Sequence, residues 1–129
     1  MVADTNTFLA VAMNQPQRPL LIRLTRGHDL VAPAVLPYEI GNALSALVRR
    51  KAVTLGQVSA IWQAVDRIPV GLVTIDVRAA TLLAGRLGIF AYDAYFLQCA
   101  LEGRVPLLTL DSGMKRVAVA LKIPVVEVP

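Results

Sequence analysis

Four of the nine acidic residues, Asp4, Glu39, Asp93 and Asp111, sit among apolar or small polar neighbours, where a charge does nothing for solubility. Their contexts read "ADTN", "PYEIGNAL", "AYDAYFLQCALE" and "LLTLD". If folding brings them together, unpaired carboxylates repel one another and push up one another's pKa values, a standing cost that a divalent cation removes. With no His or Cys nearby, an oxygen-only donor set favours Mg²⁺ or Mn²⁺ over zinc. An ion held in this way binds phosphate oxygens, activates water and stabilises the leaving oxygen of an in-line displacement.

Whether the acids converge depends on the elements that carry them. Val2 and Ala3 make a short strand before Asp4, followed by a helix through "TFLAVAM". The loop "NQPQRP" leads to a helix "LLIRLTR", stopped by Gly27, and "HDLVAP" supplies a strand. From Ala34 to Lys51, Leu36, Ile40, Ala43, Leu44 and Leu47 recur at helical spacing, with Pro37 tolerable in the first turn. The next helix, "TLGQVSAIWQAVDRI", is capped by Thr54 and carries Leu55, Val58, Ile61, Trp62 and Val65 on one stripe. "VGLVTI" is a strand, Asp76 caps the helix "VRAATLLAGRLG", and Gly88 to Glu102 supplies another helix. "PLLTL" is a strand, "SGMKRVAVALK" a helix and "IPVVEV" a last strand. This alternation predicts an α/β fold with a parallel sheet covered by helices on both faces. The 129 residues suit one domain.

In such a sheet, functional groups collect at the carboxyl edge of the strands. Asp4 and Asp111 each end a strand there. Asp93 begins a helix that runs back from that edge, and Glu39 lies in the second turn of a helix that leaves it. Taken singly, Asp93 is explained as a helix cap, Asp4 and Asp111 as turn formers and Glu39 as a solvated acid. Those readings leave the shared edge unexplained.

Composition narrows the partners. The net charge is +4, and without the four acids 13 bases face only five acids, so an acidic pocket lies in a basic body. That is the electrostatic layout of a nuclease, whose body binds the backbone while the pocket cuts it. The mean hydropathy of +0.59 invites a membrane reading, but the longest uncharged stretch, Ala52 to Val65, contains Gly, Gln, Ser and Thr and cannot span a bilayer. No secretory signal is expected in "MVADTN", which points to the cytoplasm. The single Cys99 reads as a packed hydrophobe, His28 as a loop residue, and Arg49, Arg50 and Lys51 as a solvated helix end.

The segments "DTN" at 4–6, "PYEIGNALSALVRRK" at 37–51, "YDAYFLQCA" at 92–100 and "LLTLD" at 107–111 make the chain resemble a PIN-domain ribonuclease. Within that family it is similar to the VapC-type toxins of toxin–antitoxin (VapBC) pairs. The resemblance implies a three-layer α/β/α sandwich and metal-dependent endonucleolytic cleavage of RNA, commonly tRNA or ribosomal RNA. It implies that Asp4, Asp93 and Asp111 bind the metal, with Glu39 binding directly or through water and helping to orient or deprotonate the attacking water. Thr5, Asn6 and Thr109 match small polar positions near the family's site. A VapB-like antitoxin, received in a groove near the Trp62 stripe, and a homodimer are the implied partners. No acid follows Asp111 in "SGMKR", so a fifth ligand present in some members is not expected. A phosphatase would have an acid where Asn6 stands, and a receiver domain would have paired acids there. The remaining alternative is a catalytically inactive PIN-like module that binds RNA or protein, which would be free to lose some of the four acids.

Overall fold

The computed structural model describes residues 1–129. Successive residues of a strand face opposite sides of a sheet, so a strand buried at every position is covered on both faces. Val2, Ala3, Leu107 and Leu108 all meet that condition, at no more than 1% exposure. They form β1 (Val2–Ala3) and β4 (Leu107–Leu108), which join β2 (Val31–Pro33) and β3 (Gly71–Val73) in the order β3-β2-β1-β4, every pair parallel. The helices are α1 (Thr5–Ala12), α2 (Arg18–Thr25), α3 (Leu36–Arg49), α4 (Leu55–Asp66), α5 (Val77–Leu87), α6 (Ala91–Gly103) and α7 (Ser112–Ala120). The α/β/α arrangement expected from the sequence is the one observed.

Local chemistry sets the helix ends. Thr54 and Gln57 form a reciprocal capping box at α4: the Gln57 N–H donates to the Thr54 hydroxyl at 3.2 Å, and the Thr54 N–H donates to the Gln57 side chain at 2.8 Å. Gly88 closes α5 in the left-handed region at φ +64°, where a side chain would be strained. Leu36, Ile40 and Leu44 are the buried face of α3, as their spacing predicts, and they join Phe8, Leu21, Phe96 and Leu97 in one core.

Three expectations change. "IPVVEV" is not a strand, since only Val125 pairs, with Leu107. Pro124 has no N–H to donate, and beyond Leu108 the chain turns Thr109 toward Asp4. The sheet is also bare at one edge, because all three residues of β3 are exposed. The apolar stripe of α4 mostly faces inward: Ile61 is buried, while Val58, Trp62 and Val65 pack half-buried against the core. Only Leu55, 76% exposed, stands free of it.

Cys99 is buried, and burial together with the charge of Glu102 pushes its thiol up to about 11, which leaves it unreactive at neutral pH. No helix is long and apolar enough to cross a membrane. Phe96, 1% exposed, lies at the centre of this packing. Phe96→Ala is expected to cost about 3–5 kcal/mol in urea denaturation, and Leu55→Ala less than about 0.5 kcal/mol. Equal losses would contradict the core assignment.

Candidate active site

The register of two neighbouring strands builds the site. Ala3 pairs with Leu108, so the next residue of each chain segment, Asp4 and Thr109, emerges beside the other. The chain leaves β1 for β2 on one side while β4 lies on the other, which makes this the switch point where an α/β sheet opens a crevice. The Thr7 hydroxyl and N–H donate to Asp4 Oδ1 at 2.6 and 3.0 Å, and the Thr109 hydroxyl donates to Oδ2. The same Thr109 oxygen accepts the Asp111 N–H at 3.0 Å. One hydroxyl therefore ties the buried Asp4 to the loop that carries Asp111.

Asp4 and Asp111 also cap helices, as their ordinary readings require. The Thr7 N–H bond caps α1, and the Met114 N–H donates to Asp111 Oδ1 at 3.0 Å to cap α7. Asp93 is different. The cap of α6 is Phe90, which makes no side-chain capping bond, and Asp93 is the third residue of the helix. Capping therefore does not account for Asp93, although the positive end of the helix dipole favours an acid there. Glu39 lies in the first turn of α3, not the second, because the helix begins at Leu36. The Thr5 hydroxyl donates to Glu39 Oε2 at 2.6 Å.

Asp4, Thr5, Asn6, Glu39, Asn42 and Asp93 line a small cleft of about 150 Å³, with Phe96 against it and no basic side chain in its wall. Asp93 also lines an adjoining cleft with Asp111, so it stands between the two. All seven residues singled out in the sequence thus lie in or beside one region. Three contributors were not anticipated: Thr7, Asn42 and Phe96. Thr7 stands three residues after a helix cap, where a hydroxyl can reach back, and Asn42 and Phe96 each stand three residues after an acid on the same helical face.

Electrostatics follows from this packing. Burial pushes Asp4 above its ordinary value, against the hydrogen bonds from Thr109 and Thr7, with a further push from Asp111. Glu39 is raised first by desolvation, against its bond from Thr5, and then by Asp93 and Asp4. Asp93 is raised by desolvation and then by Asp111 and Asp4. Asp4, Glu39 and Asp93 are thus raised together, and no cation of the chain lines the polar cleft they share, while Arg116 lines the adjoining cleft beside Asp93 and Asp111.

The donors fit a hard divalent ion in kind, since they are carboxylate, hydroxyl and amide oxygens with no imidazole or thiolate among them. No three of the acids close around a single point as an inner shell would. At this spacing a hard ion would reach some of the carboxylates only through water.

Because Asp93 is raised in the native state, the folded protein binds more protons than the unfolded chain at pH values above the ordinary Asp value of 3.8. Its contribution to stability therefore falls as pH rises from that value toward neutrality, and the penalty vanishes below it. In EDTA, Asp93→Asn is expected to melt above wild type at pH 7, with the gap closing as pH is lowered toward 4. A variant that melts below wild type at pH 7 would contradict the repulsion.

The PIN domain family profile matches residues 1–120. In structure the chain is similar to the crystal structure of PAE2754 from Pyrobaculum aerophilum, at 17% identity and a TM-score of 0.63, over 94% of this chain and 95% of that one. That likeness is one of fold. No curated protein matches the chain in sequence. PIN domains are in general ribonuclease domains, and with the profile spanning nearly its whole length and a parallel sheet that carries acids at its switch point, this chain belongs to the PIN domain family.

Proposed function

We propose that the protein is a Mg²⁺- or Mn²⁺-dependent endoribonuclease and the toxin of a VapBC-type pair, acting in the cytoplasm. The observation that most supports catalysis is the set of three acids, Asp4, Glu39 and Asp93, around a cleft with no basic wall, with Asp111 beside Asp93 in the adjoining cleft, in a chain where 13 bases face the other five acids. The body attracts a polyanion, and the cleft can accept its phosphate once a cation is bound.

One or two of Asp4, Asp93 and Asp111 would hold the ion directly, and the rest, with Glu39, would hold it directly or through water. When bound, the ion supplies positive charge to the phosphate oxygens and lowers the pKa of water. The chain's own groups do the rest. The Thr7 and Thr109 hydroxyls fix the Asp4 carboxylate so that it needs no reorganisation when substrate enters. Thr5 aims Glu39, whose carboxylate would take a proton from the attacking water. The water oxygen bonds to phosphorus as the bond to the 3′-oxygen breaks, and that oxygen takes up a proton. The products are a 5′-phosphate and a 3′-hydroxyl.

The toxin reading is supported by the four VapC-like segments and by a cleft of about 350 Å³ between α1, α2 and the end of α4, with Phe8, Leu21 and Ile22 in its wall and Arg18, His28 and Arg67 at it. An apolar segment with an acidic flank, from a VapB-like antitoxin, matches those walls. Val77, Leu82 and Leu87 on α5 and Leu72 and Val73 on the bare edge strand are exposed, which supports a homodimer on that side. tRNA or ribosomal RNA is the expected substrate.

The test is cleavage of labelled RNA. Wild type with Mn²⁺ is expected to cut, while EDTA and Asp93→Asn each reduce the rate at least 100-fold, as loss of a group that stabilises transition-state charge does. Equal cutting by the two proteins, or indifference to EDTA, would refute the assignment. Capture of the protein from its native operon is expected to recover a small second protein, and recovery of none would contradict the toxin reading.

A further inference from the structure

A phosphodiester that enters the polar cleft meets a one-sided wall. Asp4, Glu39 and Asp93 offer only acceptors when ionised, and the side chains of Ala43 and Phe96 offer neither donor nor acceptor. The Thr5 hydroxyl is spent on Glu39, and no Arg, Lys or His lines the cleft. Donors for an anion therefore come down to the side-chain amides of Asn6 and Asn42, both exposed. The acids take their hydrogen bonds from Thr5, Thr7, Thr109 and the Met114 amide, so neither asparagine is spent on them.

Both amides stand on helices that also carry or adjoin an acid. Asn42 lies three residues after Glu39 on the same face of α3, and Asn6 two residues after Asp4 in the first turn of α1. α1 and α3 pack on one another, which fixes the two amides relative to the acids. An ion finds carboxylate oxygens from three acids here, so a further acceptor adds little; donors are what the cleft lacks. A guanidinium or ammonium would supply them but would also pair with the carboxylates and compete with the ion. A neutral amide donates to a phosphate oxygen without displacing the cation.

We infer, on the basis of the ribonuclease reading, that Asn42 is a catalytic residue whose side-chain N–H donates to a non-bridging oxygen of the scissile phosphate, with Asn6 as the second donor. The bond strengthens as charge grows on that oxygen during attack by water. Fixed, uncharged donors thus serve the phosphate where the chain places no cation.

Two measurements test the role, one of cleavage and one of binding. With Mn²⁺, Asn42→Ala is expected to lower kcat on labelled RNA roughly 10- to 100-fold, the loss of one hydrogen bond to a charged oxygen, while KM changes far less because the basic body still holds the strand. Its pH–rate profile should keep the wild-type shape, since an amide does not titrate. A shifted profile would mean that Asn42 acts by tuning Glu39 one turn away, and would overturn the inference. Asn42→Asp keeps the shape and one oxygen but replaces the donor by an acid. It is expected to bind Mn²⁺ at least as tightly as wild type and to cut no faster than Asn42→Ala; cutting at the wild-type rate would make Asn42 a partner of the ion's water instead. Leu55→Ala, outside the cleft, is the unchanged control, and thermal melting checks the folding of each variant.

The binding measurement needs no cleavage. Dimethyl phosphate, a phosphodiester with neither base nor sugar, is titrated into Mn²⁺-loaded protein and followed by the broadening of its ³¹P line. Asn42→Ala is expected to weaken its binding at least about threefold at unchanged Mn²⁺ affinity. Equal diester binding by the two proteins, or a loss matched by an equal loss of Mn²⁺ affinity, overturns the inference. If wild type cuts no RNA but binds the diester through Asn42, the amide site stands and the ribonuclease reading falls. If wild type cuts and Asn42→Ala cuts as fast, the ribonuclease reading stands and the amide role falls. If wild type neither cuts nor binds the diester, both fall.

Discussion

A carboxylate buried at the end of the central strand is the constraint around which this molecule is arranged. Asp4 is 6% exposed and has no cation beside it, a placement that folding by itself disfavours. It persists because three donors meet it: the Thr7 hydroxyl, the Thr7 amide and the Thr109 hydroxyl. Those donors depend on the parallel register of β1 and β4, and that register depends on helices covering both faces of both strands. The core therefore positions a charge as well as burying apolar surface.

The remaining acids attach to that centre by different means. Asp111 is tied to it through the Thr109 oxygen and is fixed a second time as the cap of α7. Glu39 is aimed by Thr5, the residue that follows Asp4. Asp93 has no such tether and depends on α6, whose buried face of Ala94, Phe96, Leu97, Cys99 and Ala100 anchors it to the sheet. The apolar run around Asp93 and the charge within it serve one purpose: the run secures the helix so that its first turn can present an acid at the rim. Local stability and the site coincide at Asp4 and Asp111 and separate at Asp93, so Asp93 is the best place to test the site without disturbing a cap.

Periodicity and the edge rule made the α/β class and the convergence of Asp4, Glu39, Asp93 and Asp111 legible in the sequence, because each acid follows a strand or begins a helix. Asp76 and Thr54 were legible as caps from local chemistry alone. What sequence patterns missed depends on tertiary context. The apolar run of Ile123 to Val128 has strand-like composition, but its partner strand is two residues long and turns away to serve Asp4. The α4 stripe has the look of a partner surface, but α1 and the core already cover most of it. Asp93 reads as a cap because an acid near a helix start usually is one, and only the position of Phe90 reveals the difference. Thr7 escapes notice because its hydroxyl matters only once Thr109 arrives from over a hundred residues away.

If the acids exist to hold a divalent ion, its entry favours their charged forms, against the upward push that burial gives Asp4, Glu39 and Asp93, so any proton they carry leaves as the ion enters. Calorimetric titration of EDTA-stripped protein with Mn²⁺, in two buffers of different ionisation enthalpy, measures binding and proton release together. Saturable binding in wild type, with proton release that grows as the pH is lowered, and both strongly weakened in Asp93→Asn, is the predicted result. No saturable binding, or the same isotherm in both proteins, would contradict it.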